Sequence, residues 1–160
     1  MILKIVGNKG RVACVSAPTL YKHLKQHLTN NDKSSTNDVS LKVFEFDPRF
    51  AMYGGDFVLY DYRSPLDIPR EMRESFDLVF ADPPFLSEEC LTKTAVTLKF
   101  LAKERIVLCT GAIMADLAHR LLRHQDQTQK IFLIHQCFGS GLDPYSVRSV
   151  DPDPDPGWQK

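Results

Sequence analysis

The tetrapeptide Asp82-Pro83-Pro84-Phe85 carries the residues best suited to chemistry in this sequence. It directly follows the apolar run Phe76–Ala81, and its two prolines cannot donate to a strand ladder and have φ fixed near about −65°. In such a rigid turn the carbonyls of Asp82 and Pro83 can point outward beside the Asp82 carboxylate. These groups are all acceptors, which suits a neutral amine held with its lone pair toward an electrophile. Phe85 adds a flat apolar wall for a planar base or an uncharged lysine chain.

Acidic residues also follow two other apolar runs. Asp47 comes after Leu41–Phe46, and Asp61 comes after Asp56–Tyr60. One carboxylate can accept hydrogen bonds from both hydroxyls of a ribose, and another can accept one from an adenine amine, so the pattern indicates a nucleoside site. Asp and Pro are also common wherever strands turn, and an ordinary turn stays an alternative at each of these positions.

The elements that must position these residues are short apolar runs separated by helix-length segments. Nearly continuous apolar strands of this kind indicate a parallel sheet buried on both faces, so we predict a doubly wound α/β fold with five to six strands. In such sheets a ligand binds beyond the carboxyl ends of the strands, near the switch point in strand order. The predicted strands are Arg11–Ser16, Leu41–Phe46, Asp56–Tyr60, Phe76–Ala81, Arg105–Cys109 and Ile131–Ile134; the predicted helices are Thr19–Leu28, one that starts at Ser87, and Ala112–Arg123.

Composition narrows the class of protein. The chain has 160 residues, enough for one domain, and its 20 Lys and Arg balance its 20 Asp and Glu. A net charge of zero gives no broad attraction to phosphate backbones, so nucleic acid is not expected as a partner. The four cysteines are far apart and form no C-x-x-C pair, which indicates buried thiols and no metal site. No apolar run reaches the about 20 residues that span a bilayer, and we expect a soluble cytoplasmic protein without a membrane partner.

The tetrapeptide matches the [DN]-P-P-[FYW] signature of S-adenosylmethionine-dependent methyltransferases that act on amino groups. Longer blocks of sequence resemble a narrower family, the elongation-factor-1-alpha lysine methyltransferases, earlier grouped with adenine-specific DNA methyltransferases. The resemblance covers about residues 5 to 122. The blocks are RVACVSAP (Arg11–Pro18), FEFDPRFAMYG (Phe44–Gly54), PLDIP (Pro65–Pro69), ADPPFLSEECL (Ala81–Leu91) and LCTGAIM (Leu108–Met114).

This resemblance implies a Rossmann-like methyltransferase fold, S-adenosyl-L-methionine as cofactor, and translation elongation factor 1-alpha as the protein substrate, methylated on a lysine. Residues 82–85 would then hold the substrate amine. The first-strand loop, where many methyltransferases carry glycines, would contact the cofactor. The cofactor-binding residues that the resemblance implies are Ser16, Ala17 and Pro18 in this loop, Asp47 at the ribose, and Asp61 and Tyr62 beside the adenine.

The expected mechanism is an in-line methyl transfer to a lysine that has first lost its proton. Burial beside an apolar wall favours the neutral amine, whereas the Asp82 carboxylate favours the ammonium. We therefore expect Asp82 to orient the amine and pass its proton to water, and not to act as a strong general base. Two other functions stay open. One is an adenine amino-methyltransferase on nucleic acid, which needs a basic face that the sequence does not show. The other is a non-catalytic, truncated methyltransferase-like binding fragment.

The two ends of the chain depart from the resembled family. That family has a substantial segment before the position of Ile2 and closes its sheet with an antiparallel hairpin, a pattern from which this sequence departs after about Arg123. We therefore expect an incomplete methyltransferase core at residues 1–135. The segment 136–160 is expected to be a divergent, disordered tail, because its Asp151–Pro156 repeat (DPDPDP) lacks amide donors at every second position.

Overall fold

The computed structural model describes residues 9–31, 38–123, 130–136 and 147–149. These residues form a single mixed sheet with helices beside it. The helices are α1 (Pro18–Asn31), α2 (Glu88–Leu101) and α3 (Ala115–Leu122), with short 3₁₀ segments at Pro48–Asp56, Arg70–Met72 and Ala112–Met114. The strands are β1 (Lys9–Val15), β2 (Asp38–Glu45), β3 (Phe57–Leu59), β4 (Phe76–Ala81), β5 (Ala102–Gly111), β6 (Lys130–Gln136) and β7 (Val147–Ser149).

The strand order across the sheet is β3-β2-β1-β4-β5-β6-β7. Strands β1 to β6 run parallel, and β7 pairs with β6 in the antiparallel direction. The order reverses between β1 and β4, which places the switch point at that pair. All six predicted strand positions are occupied and the doubly wound α/β fold is confirmed, with β7 as one strand more than the sequence predicts.

Both faces of the central strands are buried, and neighbouring residues of a strand point to opposite faces. In β1 the side chains of Val12 and Cys14 join the core beneath α1, where Tyr21 is fully buried. Ala13 and Val15 join the core on the other face, which α2 and α3 cover. The apolar residues of the central strands therefore serve two cores, which is why the strands lack a polar face.

The link between β4 and α2 is short and capped. The Ser87 hydroxyl accepts a hydrogen bond from the Cys90 amide at 3.2 Å, and Glu88 and Glu89 occupy the first turn of α2. This is the helix start that the sequence predicts, with acids that complement the helix dipole. The tetrapeptide 82–85 is consequently held between a buried strand and a capped helix.

Two further segments lie outside the predicted strands and helices. The link from β2 to β3 is a 3₁₀ segment that bends at Gly54, whose φ of 57° is a conformation that favours glycine. The predicted tail contains β7, whereas its DPDPDP repeat lies outside the described residues. The boundary between core and tail at residue 135 stays a prediction.

Candidate functional site

The carboxyl ends of β1, β2, β3 and β4 surround a cavity of about 470 Å³. Its position at the switch point is the one that the fold class predicts for a ligand. Five of the residues predicted from the sequence line it, together with four that the prediction left out. The lining residues are Ser16, Glu45, Phe46, Tyr60, Asp61, Tyr62, Arg63, Pro84 and Phe85.

The loop after β1 forms one end of this cavity. Ser16 has a φ of 51°, in the left-handed region that favours glycine, and its amide donates to the Phe44 carbonyl at 2.8 Å. The next two residues do not line the cavity: Ala17 is buried, and Pro18 begins α1. The Ser16 backbone therefore adopts a conformation that glycine takes at lower cost.

The acid that reaches the cavity from β2 is Glu45, the last residue of the strand. Its Oε1 accepts hydrogen bonds from the amides of Phe46 at 2.9 Å and Asp47 at 3.5 Å. The Asp47 carboxylate instead caps its own 3₁₀ segment, accepting from the Arg49 amide at 2.9 Å and from the Arg49 side chain. The structure therefore places Glu45 in the lining of the cavity, and Asp47 is not among the lining residues.

Three aromatic rings form the apolar walls. Phe46 and Phe85 are 59% and 58% exposed, unusual values for such side chains next to a buried core. The Tyr62 and Phe85 rings meet edge to face with centroids 5.9 Å apart, and the Arg63 guanidinium lies 5.7 Å from the centre of the Phe46 ring. Exposed rings of this kind can stack on a planar base.

Asp61 supplies a second charge to the cavity. Its carboxylate accepts hydrogen bonds from the Arg63 side chain at 2.8 to 3.0 Å and from the Arg63 amide at 2.9 Å. These hydrogen bonds lower the pKa of the Asp61 carboxyl below its usual value, so Asp61 is ionised at neutral pH. The neighbouring Tyr60 is buried, and its hydroxyl lies 2.9 Å from the Thr97 hydroxyl, which fixes the strand end from α2.

A second, smaller cavity of about 180 Å³ lies against the tetrapeptide. Pro84 lines both cavities, so the two share a wall. Asp82 and Pro83, the two residues whose carboxylate and carbonyls the sequence predicts for an amine, both line this smaller cavity. Its lining residues are Asp82, Pro83, Pro84, Leu86, Cys109, Thr110 and Gly111.

The surroundings of Asp82 change its pKa, although its side chain is accessible to solvent. Partial burial raises the pKa of the Asp82 carboxyl, and a hydrogen bond with the Cys109 side chain offsets part of that rise. Burial and the adjacent Asp82 charge raise the pKa of Cys109 to about 11, so its thiol keeps its proton at neutral pH. A carboxylate with a raised pKa is a better proton acceptor than an ordinary aspartate.

Residues 1–139 match the family described as probable N6-adenine methyltransferase. The chain belongs to this family. Both the sequence resemblance and the Rossmann-like fold agree with the match. The description of the family names an amine on a planar base, adenine. A planar base is one of the two substrates for which the sequence predicts the flat wall of Phe85.

Several relatives of this family member carry a more specific name. The EEF1A lysine methyltransferase 1 of Homo sapiens is 46% identical over 148 residues, which are 86% of this chain and 66% of the relative. The protein of the same name from Bos taurus is 51% identical over 86% of this chain and 62% of the relative. That from Danio rerio is 50% identical over 76% of this chain and 71% of the relative. The chain thus spans a little under two thirds of the first of these relatives.

No solved structure matches the chain significantly. Among the residues that the structure describes, no helix has the length and apolar character to cross a membrane.

Proposed function

We propose that this family member transfers a methyl group from S-adenosyl-L-methionine to a lysine side chain of elongation factor 1-alpha. The observation that carries the proposal is the pair of cavities that share Pro84, one sized and lined for a nucleoside and the other lined by acceptors for an amine. The names of the relatives point to the same acceptor.

The residues of the larger cavity fit S-adenosylmethionine. The Glu45 carboxylate, which ends β2, is the group we assign to the ribose hydroxyls, in place of Asp47, whose carboxylate is occupied by Arg49. The rings of Phe46 and Tyr62 suit the faces or edge of the adenine. The lining contains two acidic residues, Glu45 and Asp61, and one basic residue, Arg63, so it carries one excess negative charge. This charge favours a cationic ligand.

When bound, S-adenosylmethionine supplies a methyl group on a positively charged sulfur. The Asp82 carboxylate and the Asp82 and Pro83 carbonyls would accept the N–H hydrogen bonds of the acceptor and so direct its lone pair. Phe85 would cover the alkyl chain of the lysine and exclude water, which favours the neutral amine. With its raised pKa, Asp82 can receive the proton that the ammonium loses and release it to water.

The amino group of adenine is a second candidate acceptor, favoured by the description of the family. The same acceptor groups suit it, because both substrates present N–H donors to the tetrapeptide. The neutral net charge supports the protein substrate over nucleic acid, since binding to a phosphate backbone draws on excess Lys and Arg.

The cytoplasm is the location that we propose. Elongation factor 1-alpha as substrate supports it, and so do the cysteines of the described residues. Cys14, Cys90 and Cys109 are all free and buried, as the sequence predicts, which fits a reducing compartment. The fourth cysteine, Cys137, lies outside the described residues.

The test is transfer of a labelled methyl group from S-adenosylmethionine to purified elongation factor 1-alpha, and in parallel to duplex and single-stranded nucleic acid. We expect label on the protein that is released by protease and mapped to a lysine by mass spectrometry. A matched reaction with a lysine-methylated preparation of the factor should take up less label.

Label released only by nuclease would replace lysine with adenine as the acceptor. No label on either substrate, with S-adenosylmethionine bound by the folded chain, would support the non-catalytic binding fragment.

A further inference from the structure

Gly111 and Leu86 form one wall of the smaller cavity, and neither has a role in the proposed transfer. We propose that their contact sets the width of the acceptor cavity and so determines how many methyl groups the acceptor amine can carry. This inference rests on the proposed function and names the specificity of the same site.

The backbone does not explain the glycine at position 111. Gly111 has φ −69° and ψ 148°, an extended conformation open to any residue. This contrasts with Gly54, whose φ of 57° favours glycine whatever the space around it. Any constraint on a larger residue at position 111 therefore comes from the side chains around it.

The space is taken by Leu86. A Cβ on Gly111 would lie 3.3 Å from both Cδ1 and Cδ2 of Leu86, closer than ordinary van der Waals contact. Leu86 belongs to the turn before α2 and is 64% exposed, so its side chain is not locked in a core. A methyl group at position 111 would therefore displace Leu86 or fill part of the cavity, and either change alters the wall against which the acceptor packs.

Width matters because each transfer enlarges the acceptor. The lone pair of the amine nitrogen forms a bond to the methyl carbon, and the carbon–sulfur bond breaks with its electrons left on sulfur. The resulting ammonium loses a proton to water before it can react again. After each round the nitrogen carries one more carbon, and one methyl group in a tight pocket changes discrimination by about 10- to 200-fold.

The first experiment measures products by mass spectrometry after extended reaction with elongation factor 1-alpha. We expect Gly111→Ala to reduce the ratio of multiply to singly methylated lysine about tenfold relative to the unaltered protein. Adding Leu86→Ala to Gly111→Ala should restore the ratio, since it removes the side chain that the new methyl group meets. Gly55→Ala is the matched control, because nothing lies within 4 Å of a Cβ at Gly55.

A second experiment needs no activity. Butylammonium and butyltrimethylammonium are both cations at pH 7 and differ in the size of the head group, and their binding is followed by amide shifts in NMR. We expect both ligands to shift the amide resonances of residues Thr110 and Gly111. Gly111→Ala should weaken the binding of butyltrimethylammonium about tenfold more than the binding of butylammonium.

The outcomes separate the inference from the proposed function. Absence of transfer by the unaltered protein, with the NMR pattern as expected, overturns lysine methylation and supports the cavity assignment. An unchanged product ratio in Gly111→Ala, or equal weakening of both amines, overturns the inference while leaving the methyltransferase function in place.

Discussion

At the scale of single residues, the site depends on which acid a strand end presents. Glu45 and Asp47 are two positions apart, and both follow the apolar part of β2. Glu45 lines the larger cavity, whereas Arg49 binds the carboxylate of Asp47 with hydrogen bonds of 2.5 to 3.1 Å. A carboxylate held in this way by its own turn has little capacity left for a ribose.

We expect Glu45→Gln to weaken S-adenosylmethionine binding by about 10- to 100-fold, because it removes a charged hydrogen-bond acceptor worth about 1.5–3 kcal/mol. The isosteric control is Asp47→Asn, for which we expect less than about a threefold change. Isothermal titration calorimetry measures both dissociation constants. An equal or larger loss of affinity in Asp47→Asn would show that Asp47, and not Glu45, binds the ribose.

Asp82 is predicted to act on the acceptor and not on the cofactor. We expect Asp82→Ala to lower turnover by about 100-fold or more while the dissociation constant of S-adenosylmethionine changes less than about threefold. The reason is that Asp82 lines only the smaller cavity. Single-turnover methyl transfer and calorimetry on the same preparation provide the two numbers, and a parallel loss in both would contradict the assignment.

At the scale of elements, α1 is fastened to the connection that leads from β2 to β3. The Asp56 carboxylate accepts hydrogen bonds of 2.7 Å from the hydroxyl of Tyr21 and from the Lys25 ammonium, both on α1. The Tyr21 ring also meets Tyr53 edge to face at 4.7 Å. These contacts hold the segment that follows Glu45 and so help to fix one wall of the larger cavity.

This link predicts a dependence of stability on pH. Burial alone would raise the pKa of Asp56, but the hydrogen bonds from Lys25 and Tyr21 outweigh it, and the pKa lies below its usual value. The folded-state pKa is depressed, so the stabilisation is present above the unfolded value of about 3.9 and disappears as pH falls through the folded value.

We expect Asp56→Asn to lower the free energy of unfolding by about 1 kcal/mol at pH 7, since Lys25 is half exposed. The difference from the unaltered protein should shrink as pH falls through the folded-state pKa of Asp56, which lies below its usual value. Urea unfolding across pH measures it, with Asp67→Asn as an exposed acidic control. A difference that persists unchanged at low pH would show that the ionised carboxylate is not responsible.

At the scale of the whole molecule, the site belongs to no single segment. The lining of the larger cavity comes from four strand ends, which are distant in sequence and adjacent only in the folded sheet. A ligand that binds there binds the folded chain and not the unfolded one. Binding should therefore stabilise the entire fold.

We expect S-adenosylmethionine at a hundred times its dissociation constant to stabilise the protein by about 2.7 kcal/mol. For a chain of this size that corresponds to a rise in Tm of about 5–10 °C. Differential scanning calorimetry measures the shift, and Glu45→Gln at the same ligand concentration should show a smaller one. An identical Tm with and without ligand would contradict a cofactor site in this chain.

Much of this architecture follows from local pattern. Apolar runs predict the six strands, a capping serine predicts the start of α2 at Ser87, and the rule for parallel sheets predicts a ligand at the switch point. The first two signals depend only on residues that are near one another in sequence. Arg63 was not predicted as a lining residue, because its place depends on Asp61 beside it and on the Phe46 ring at the end of another strand. The antiparallel strand β7 is not predicted for a different reason: a strand of three residues is too short to show a periodic pattern.

The sequence by itself determined the class of fold, the family resemblance and the tetrapeptide to which we assign the substrate amine, since these depend on residue type and spacing alone. Only the tertiary structure decided that Glu45 and not Asp47 lines the larger cavity, that Pro84 separates two cavities, and that Gly111 makes room for Leu86. The physical reason is that a side chain's direction at a strand end depends on hydrogen bonds and packing with residues far away in sequence. Those partners meet only when the sheet has formed.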